Sequence, residues 1–410
     1  MTQPHVTDRS LDPNVGFWMV AYAFLLVMAS ATLPSPLYGL YRERDNLSAF
    51  TITLVYAIFA GGTIAALTVA PRFSVRLGRR GLMISATATM IVSAGLLAVW
   101  KDLPGLLIGR FLTGVAVGLA AATAITYLVE LRLRADPDAS VSRARIIGTS
   151  INVGGLGVGP LVAGALAQWV GAPLTVPYLL IVALGAIALL GLALTPETST
   201  PSPTQPSDTA ETSPRSSARL PVAAAAAALS AFAANGLFAG LSGLLLTSTL
   251  HHPAHALAGA ILFLVFSAGV VSQLATNRLA APRVLEFGTA SILVGLVVLV
   301  VSVRLATPNL ALFLLSGALI GAGAGAIYKG TTGIVLESVA PSDRLRTTSA
   351  LLIALFLGLS VPVIGAGVAL NVGASAPDAV FGFAILVAVG VAVAGWALLV
   401  RHPKNSTQTG

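Results

Sequence analysis

The sequence predicts an all-α integral membrane protein in which twelve helical spans form two halves of six. Three observations carry this prediction. Of the 410 residues, 56% are apolar and only 9% are charged, whereas about a quarter of the residues in soluble domains are charged. Twelve apolar runs are each long enough to cross a bilayer. The Lys and Arg residues gather in alternate loops, as they do in multi-pass membrane proteins.

The predicted spans follow one another through short loops, with one long connector in the middle of the chain. A span takes about 20 mostly apolar residues at a rise of ~1.5 Å each. The predicted spans are 17–39, 49–70, 82–100, 105–130, 147–170, 174–195, 220–248, 257–276, 285–303, 309–337, 348–370 and 378–400.

The distribution of positive charge orients these spans. Of the 23 Lys and Arg residues, 17 lie in the two tails and the loops after even-numbered spans, four lie in the other loops, and two lie within spans. Cytoplasmic loops carry the excess of Lys and Arg, so we expect a cell-membrane protein with both termini in the cytoplasm. Because the formal charge of +8 is scattered between apolar segments, no nucleic-acid surface is expected.

Composition also limits the chemistry. The chain has no Cys, which excludes disulfides, thiol nucleophiles and most structural zinc sites. No cluster of acids, His or nucleophiles lies at membrane depth, so an enzyme is not expected. We expect neither a metal nor another cofactor.

A segment of different composition divides the chain. Residues 196–219 contain 5 Pro and 11 Ser or Thr among 24 positions, a composition that favours a flexible connector. The predicted organisation is a cytoplasmic tail, a six-span half, a cytoplasmic linker, a second six-span half and another tail. Their ranges are 1–16, 17–195, 196–219, 220–400 and 401–410.

The two halves share a sequence pattern. Spans 4 and 10 each carry two Gly and a Glu before a basic loop, and the two sets are offset by 207 residues. The residues are Gly114, Gly118 and Glu130 in span 4, and Gly321, Gly325 and Glu337 in span 10. The pattern favours an internal duplication, and repeated halves that enclose a binding site are a common transporter plan.

Three motifs resemble those of the major facilitator superfamily. The loop after span 2, residues 72–80, is similar to the family's signature ending in Asp-Arg-x-Gly-Arg-Arg/Lys. Val75 stands at the position of the acid, and Pro71 stands at that of the leading Gly. The matching residues are Arg76, Gly78, Arg79 and Arg80.

The other two motifs lie within spans. Arg110, followed by Gly114 in span 4, is similar to the family's Arg-x-x-x-Gly motif. Span 5 resembles the Gly-x-x-x-Gly-Pro-x-x-Gly-Gly signature of the family's antiporters, and small residues there would allow close packing against the other half. The matching residues are Gly155, Gly159, Pro160 and Gly164.

The resemblance implies a secondary active transporter of the twelve-span drug/proton antiporter group. On that basis the expected activity is proton-coupled efflux of small amphipathic compounds by alternating access, by a monomer surrounded by membrane lipid. Proton-linked uptake of a small metabolite by the same fold is the alternative, and a non-transport membrane protein is a third. The substrate is a small molecule, and protons are the expected coupling ion.

Two cations lie within predicted spans, where a charge is costly enough to suggest function. Arg110 would bind an anionic substrate group or assist proton release, or would anchor span 4 at the outer interface. Lys329, next to Tyr328 in span 10, would bind substrate or alternate between charged and neutral states. It would otherwise bond to a backbone carbonyl and only fix packing.

Uncharged polar residues add weaker candidates. Asn235 and Gln273 are the two selected for the substrate cavity, ahead of Asn152, although interhelical hydrogen bonds explain many such residues. The segment 34–38 contains two prolines that break span 1, so it forms either an outer gate plugged by Tyr38 or a plain helix end.

The carboxylates lie in loops, tails and span ends, so no acid at mid-membrane identifies the proton-coupling group. Two acids stand at the inner ends of their spans. Glu130 is expected to pair with Arg76 across the cytoplasmic gate, and Glu337 with Arg278.

Overall fold

The structure is a computed structural model that describes residues 11–199, 219–338 and 344–400. These residues form helices and no strand. Twelve of the helices are long and apolar enough to cross a membrane, which confirms the predicted fold class. In chain order, spans 1 to 12 are Pro13–Asp45, Ala49–Ala70, Arg76–Val99, Leu103–Ala135, Val141–Trp169, Val176–Leu194, Val222–Ser248, His255–Ala275, Ala281–Arg304, Leu310–Val335, Thr347–Asn371 and Ala376–Leu398.

Span 1 is a broken helix. An α-helix runs over Pro13–Thr32, a 3₁₀ turn covers Ser35–Leu37, and a second α-helix runs over Tyr38–Asp45. Pro34 and Pro36 have no N–H to donate, so the hydrogen-bond ladder cannot pass through them. Because the helix resumes at Tyr38, the prolines mark an interruption within the span and not its end.

The internal packing of the two halves follows the same plan. In the first half, a Cβ on Gly114 of span 4 would overlap the Phe59 carbonyl of span 2. In the second half, a Cβ on Gly321 of span 10 would overlap the Val265 carbonyl of span 8. Small residues let membrane helices approach to backbone contact. The equivalent contacts agree with the duplication that the sequence predicts.

The halves meet along spans 2 and 11 and along spans 5 and 8. Phe59 of span 2 and Phe356 of span 11 pack edge to face, with ring centroids 6.0 Å apart. On the opposite side, Gly164 of span 5 packs against the backbone of His255 and Gly259 in span 8. These two seams frame the interface in which a substrate site would lie.

The predicted connector 196–219 differs from the structure at its start. Tyr127 of span 4 donates a hydrogen bond to the Pro196 carbonyl over 2.8 Å, and Arg134 donates to the Glu197 carbonyl over 2.7 Å. The first residues of the segment therefore pack against the first half and are not part of a flexible connector. Residues 200–218 lie outside the described ranges.

Candidate functional site

Three buried polar atoms without hydrogen-bond partners lie near the middle of spans 5, 7 and 11. The amide oxygens of Asn152 in span 5 and Asn235 in span 7, and the Ser360 hydroxyl in span 11, are buried without a partner. Asn152 lies 11 residues, and Asn235 and Ser360 each lie 13 residues, from the first residues of their spans, or about 16–20 Å at helical rise. All three therefore lie near the middle of the bilayer, and they come from both halves.

Arg110 lies inside the first half. Its side chain is 1% exposed, which excludes the outer-interface anchor that the sequence left open. One terminal nitrogen donates to the Ala31 carbonyl over 2.6 Å, and the other donates to the Tyr56 carbonyl over 3.3 Å. The guanidinium also lies over the rings of Phe59 and Tyr56, with centroid distances of 4.9 and 5.9 Å.

These contacts explain why a cation is tolerated at this depth. Ala31 is in the last turn of the first helix of span 1, where carbonyls lose their intrahelical donors. Arg110 supplies a donor there, and the aromatic faces replace part of its hydration. Its Nε has no partner. The arrangement joins span 4 to the break in span 1 and to span 2.

Lys329 has different surroundings, at the end of the interface that the positive charges predict to be cytoplasmic. Its Nζ donates to the Gln273 carbonyl over 2.7 Å and contacts the Thr276 hydroxyl at 3.4 Å. This carbonyl bond is the one that a packing role predicts. Lys329 also lines a cavity of about 130 Å³, so it meets both a fixed partner and open space. Neighbouring Tyr328 packs edge to face on Phe232 at 6.0 Å and lines the same cavity.

Gln273 joins this group through its side chain. The residue is 7% exposed, its Nε2 has no hydrogen-bond partner, and it lines the cavity beside Lys329. The structure thus brings Lys329, Tyr328 and Gln273 together, while Arg110 lies elsewhere. Asn235 is at mid-span and is not among the residues that line this cavity.

A second, larger cavity of about 660 Å³ opens at the outer end of the interface. The break in span 1 forms part of its wall through Ser35 and Tyr38, whose buried hydroxyls have no partner. Tyr38 packs edge to face on Tyr56, with ring centroids 6.4 Å apart. This position agrees with an outer gate at Tyr38.

The loop between spans 2 and 3 is fastened by an acid that the sequence analysis did not select. Gly78 has a φ of 71°, in the left-handed region that favours Gly. Its missing Cβ also leaves room for the Glu197 carboxylate, which accepts backbone hydrogen bonds from Arg79 over 2.9 Å and Arg80 over 3.0 Å. Glu197 therefore caps the helix that becomes span 3.

Hydrogen bonding controls the ionisation of Glu197. Burial opposes the charged form, but bonds from the Ser199 backbone and hydroxyl and from the Arg79 and Arg80 backbones outweigh it, so the pKa of this carboxyl is lowered. No signal in the Pro-, Ser- and Thr-rich sequence around residue 197 marked it, because its partners come from another part of the chain.

The expected pair of Glu130 with Arg76 is wrong. Glu130 pairs with Arg79 at 3.5 Å and accepts a 2.6 Å hydrogen bond from Thr198, whereas Arg76 is exposed. The backbone turn at Gly78 changes which Arg faces span 4. Arg80 donates to the Thr195 carbonyl over 3.3 Å.

The expected pair of Glu337 with Arg278 in the second half stays a prediction. Arg278 is exposed, and the Glu337 side chain lies outside the described part of the chain.

The motif in span 5 divides between two neighbours. Cβ atoms on Gly155 and Gly159 would overlap Met28 and the Ala29 carbonyl of span 1, within the same half. Gly164 instead faces span 8. The expectation that this motif packs against the other half thus holds for its outer end, where the Pro160 carbonyl also abuts Gly259, and is wrong for Gly155 and Gly159.

The family assignment follows from comparison with known proteins. Residues 20–303 match the sequence profile of the Major Facilitator Superfamily. The chain belongs to this superfamily. A crystal structure of a mutant of the nucleoside transporter NupG matches with a TM-score of 0.72 and 12% identity, covering 94% of this chain and 99% of that one. At this identity the match shows the fold alone.

One curated relative is similar over part of its length. The arabinose–proton symporter of Bacillus subtilis (strain 168) is 26% identical over 143 residues, which is 30% of each chain. The matched region therefore spans about a third of that relative. Membership of the superfamily identifies the chain as a member of a family of transporters.

Proposed function

We propose that this superfamily member is a secondary active transporter whose substrate is a small molecule rich in hydrogen-bonding groups, bound between the two halves. The observation that carries the proposal is the set of unpartnered buried polar atoms on Asn152, Asn235 and Ser360. A buried polar atom left without a partner costs about 1–3 kcal/mol, and no bulk water is present at mid-membrane to satisfy it. We therefore propose that a polar solute supplies partners for such groups when it binds between the halves.

Alternating access accounts for the two cavities. The outer cavity of about 660 Å³ and the cytoplasmic cavity of about 130 Å³ lie at opposite ends of the interface, with the polar atoms at intermediate depth. Rocking of the halves about the seams at spans 2 and 11 and spans 5 and 8 would widen one cavity and narrow the other.

Proton-linked uptake is the direction that we favour. Its support is the partial similarity to a protein named as an arabinose–proton symporter, and the fold shared with a nucleoside transporter. Proton-coupled export of amphipathic compounds is the second candidate, because the residues of span 5 from Gly155 to Gly164 match the antiporter signature. In both cases the protein acts as a monomer.

Transport in oriented membranes separates these candidates. Radiolabelled monosaccharides, nucleosides and hydroxy acids, or amphipathic dyes, would be added outside right-side-out and everted vesicles. A proton gradient would then be imposed across the membrane. Uptake predicts accumulation of a polar solute in right-side-out vesicles when the outside is acidic. Export predicts dye accumulation in everted vesicles when the lumen is acidic. Absence of gradient-driven movement and of solute counterflow for every compound would contradict secondary transport.

Both termini are proposed to face the cytoplasm of the cell membrane. Single Cys residues at Ser140 and His252, in the loops after spans 4 and 7, would test this in a chain that contains no native Cys. An impermeant maleimide applied to intact cells should label His252→Cys and leave Ser140→Cys unmodified. The same reagent on everted vesicles should reverse the pattern, and labelling of Ser140→Cys from outside would refute the orientation.

A further inference from the structure

The cytoplasmic cavity combines hydrogen-bond donors with an absence of negative charge. It is lined by side chains from spans 5, 8 and 10, and among the described residues that line it none is acidic. Its polar members are Thr149, Ser150, Gln273, Asn277, Tyr328, Lys329 and Thr332. A cation without a carboxylate partner in a cavity of donors is the arrangement that binds an anion.

Lys329 has a donor to spare. An ammonium group has three N–H donors, and the Gln273 carbonyl and Thr276 hydroxyl occupy two of them. No ion pair to Lys329 occurs among the described residues. The bond to the Gln273 carbonyl holds the side chain at the wall of the cavity. This contact therefore positions the ammonium and leaves one of its N–H donors available.

Gln273 supplies a second, independent indication of a ligand. Its side chain is more than nine-tenths buried and lines the cavity, and its Nε2 donor has no partner. The Thr332 hydroxyl in the same wall is also buried without a partner. Buried donors in native proteins nearly always have an acceptor, and two residues in the walls of this cavity carry a polar atom that has none.

The size of the cavity limits what enters it. One water needs about 10–15 Å³ of such space, so 130 Å³ has room for a carboxylate and a short stem. Thr149 and Ser150 belong to the first half, while Lys329 and Gln273 belong to the second. A bound anionic group would therefore bridge the halves.

From these observations we infer that the transported solute carries a carboxylate or a similar small anionic group, which binds between Lys329 and the Gln273 amide on the cytoplasmic side of the interface. This inference rests on the proposed function, since it names the substrate class of the proposed transporter. The anion accepts hydrogen bonds from Nζ and Nε2, and Ser150 of span 5 contributes a hydroxyl from the opposite wall.

Protection from labelling tests the inference directly. Ile146 lines the cavity and has an apolar side chain that donates no hydrogen bond. Because the chain contains no native Cys, Ile146→Cys would place a single thiol in the cavity wall. Maleimide labelling of the purified protein should slow in the presence of lactate or mandelate and be unaffected by lactamide or mandelamide, which have the same shape without the charge. Equal protection by acids and amides, or by neither, would overturn the inference.

Variants at Lys329 assign the effect to this residue. In the Ile146→Cys background, Lys329→Met should weaken protection by carboxylates about tenfold or more, the loss expected for one charge-assisted hydrogen bond. Lys329→Arg should keep protection because it keeps the charge. Lys101→Met, at the outer side of the membrane, is the matched control and should behave as the parent.

The outcomes separate this inference from the proposed function. Protection that survives in Lys329→Met would refute the assigned site. If Lys329→Met fails to fold, protection by acids and not amides in the parent, retained in Lys329→Arg, still supports an anion site. Counterflow of neutral solutes, with no protection by carboxylates, would refute the anion site and still support the proposed transport function. Absence of all counterflow would contradict the transport function itself.

Discussion

Arg110 and Lys329 are both cations within membrane spans, but their surroundings differ. Arg110 is almost fully buried, bonded to two backbone carbonyls and covered by two aromatic rings. Lys329 is only partly buried and lines a cavity between the halves. An intramembrane charge has two uses: it can complete the hydrogen bonding of a broken helix, or it can be held where a ligand reaches it. Position relative to the interface between the halves separates the two.

The largest effect is expected at Arg110. Arg110→Ala would remove the donor from the Ala31 and Tyr56 carbonyls, at about 1–3 kcal/mol for each acceptor left without a partner. The free energy of unfolding in detergent should fall accordingly, with low folded yield. Arg304→Ala is the matched control. Like Arg110, Arg304 stacks on an aromatic ring, but it is exposed and its hydrogen bond goes to Asp378. Exposed pairs of this kind contribute about 0–1 kcal/mol. Normal stability with lost transport in Arg110→Ala would place Arg110 with Lys329 instead.

A pair of Gly substitutions extends the comparison to backbone packing. Gly159→Leu would force span 5 away from the Ala29 carbonyl inside the first half, so we expect reduced stability and no transport in protein that still inserts into the membrane. Gly164→Leu would wedge spans 5 and 8 apart between the halves, so transport should fall more than stability. Thermal unfolding and transport per folded molecule would be measured for both. Full transport by Gly159→Leu would mean that the similarity to the antiporter signature is accidental.

Substitution of Lys329 should affect stability less than either change above. Lys329→Ala would lose one interhelical hydrogen bond, worth about 0.6 kcal/mol on average in a bilayer, yet transport per folded molecule should drop severalfold. Lys329→Arg should restore transport poorly, because its rigid fork does not replace an ammonium in a small cavity, even where anion binding persists. Transport by Lys329→Ala equal to the parent at every pH would reduce Lys329 to a packing residue.

The smallest effect on transport is expected at Glu197, where the effect on stability depends on pH. Its pKa is lowered below the ordinary 4.5 in the folded protein, so its contribution is present above that value and is lost as the pH falls through the folded pKa. Glu197→Gln should destabilise the protein at neutral pH by about 0.5–2 kcal/mol, the range for a lost helix cap, and the difference should shrink in acid. Glu286→Gln, at an exposed position, is the matched control. A pH-independent difference would mean that the charge is not what caps span 3.

The spans were predictable because hydropathy and charge act locally. The prediction of 49–70 for span 2 coincides with Ala49–Ala70. The largest errors are at the end of span 1, the start of span 3, the end of span 4 and the start of span 5, where the helices continue past the apolar run through basic residues. The partner of Glu130 was not predictable, since a single backbone turn at Gly78 exchanges Arg76 for Arg79. Ser360 gave no signal, because Ser within a helix usually bonds its own backbone.

The candidate site was predictable in type but not in grouping. Lys329, Tyr328 and Gln273 were selected as separate polar residues, and only the packing of span 10 against span 8 brings them to one cavity. Arg110 matched the same criterion of an intramembrane charge, and sequence could not reveal that the break in span 1 provides its carbonyl partner. Glu197 was hidden within a segment whose composition favours a connector.

The broken first span has a consequence for biosynthesis. The Ala31 carbonyl at the break and its donor Arg110 are 79 residues apart in the chain. At about 5–20 residues per second, the ribosome needs roughly 4–16 s to supply that donor after span 1 has left the exit tunnel. During this interval the kinked helix stands in the translocon or lipid with an unmet polar group. We therefore expect span 1 to stay beside the insertion machinery until span 4 is synthesised.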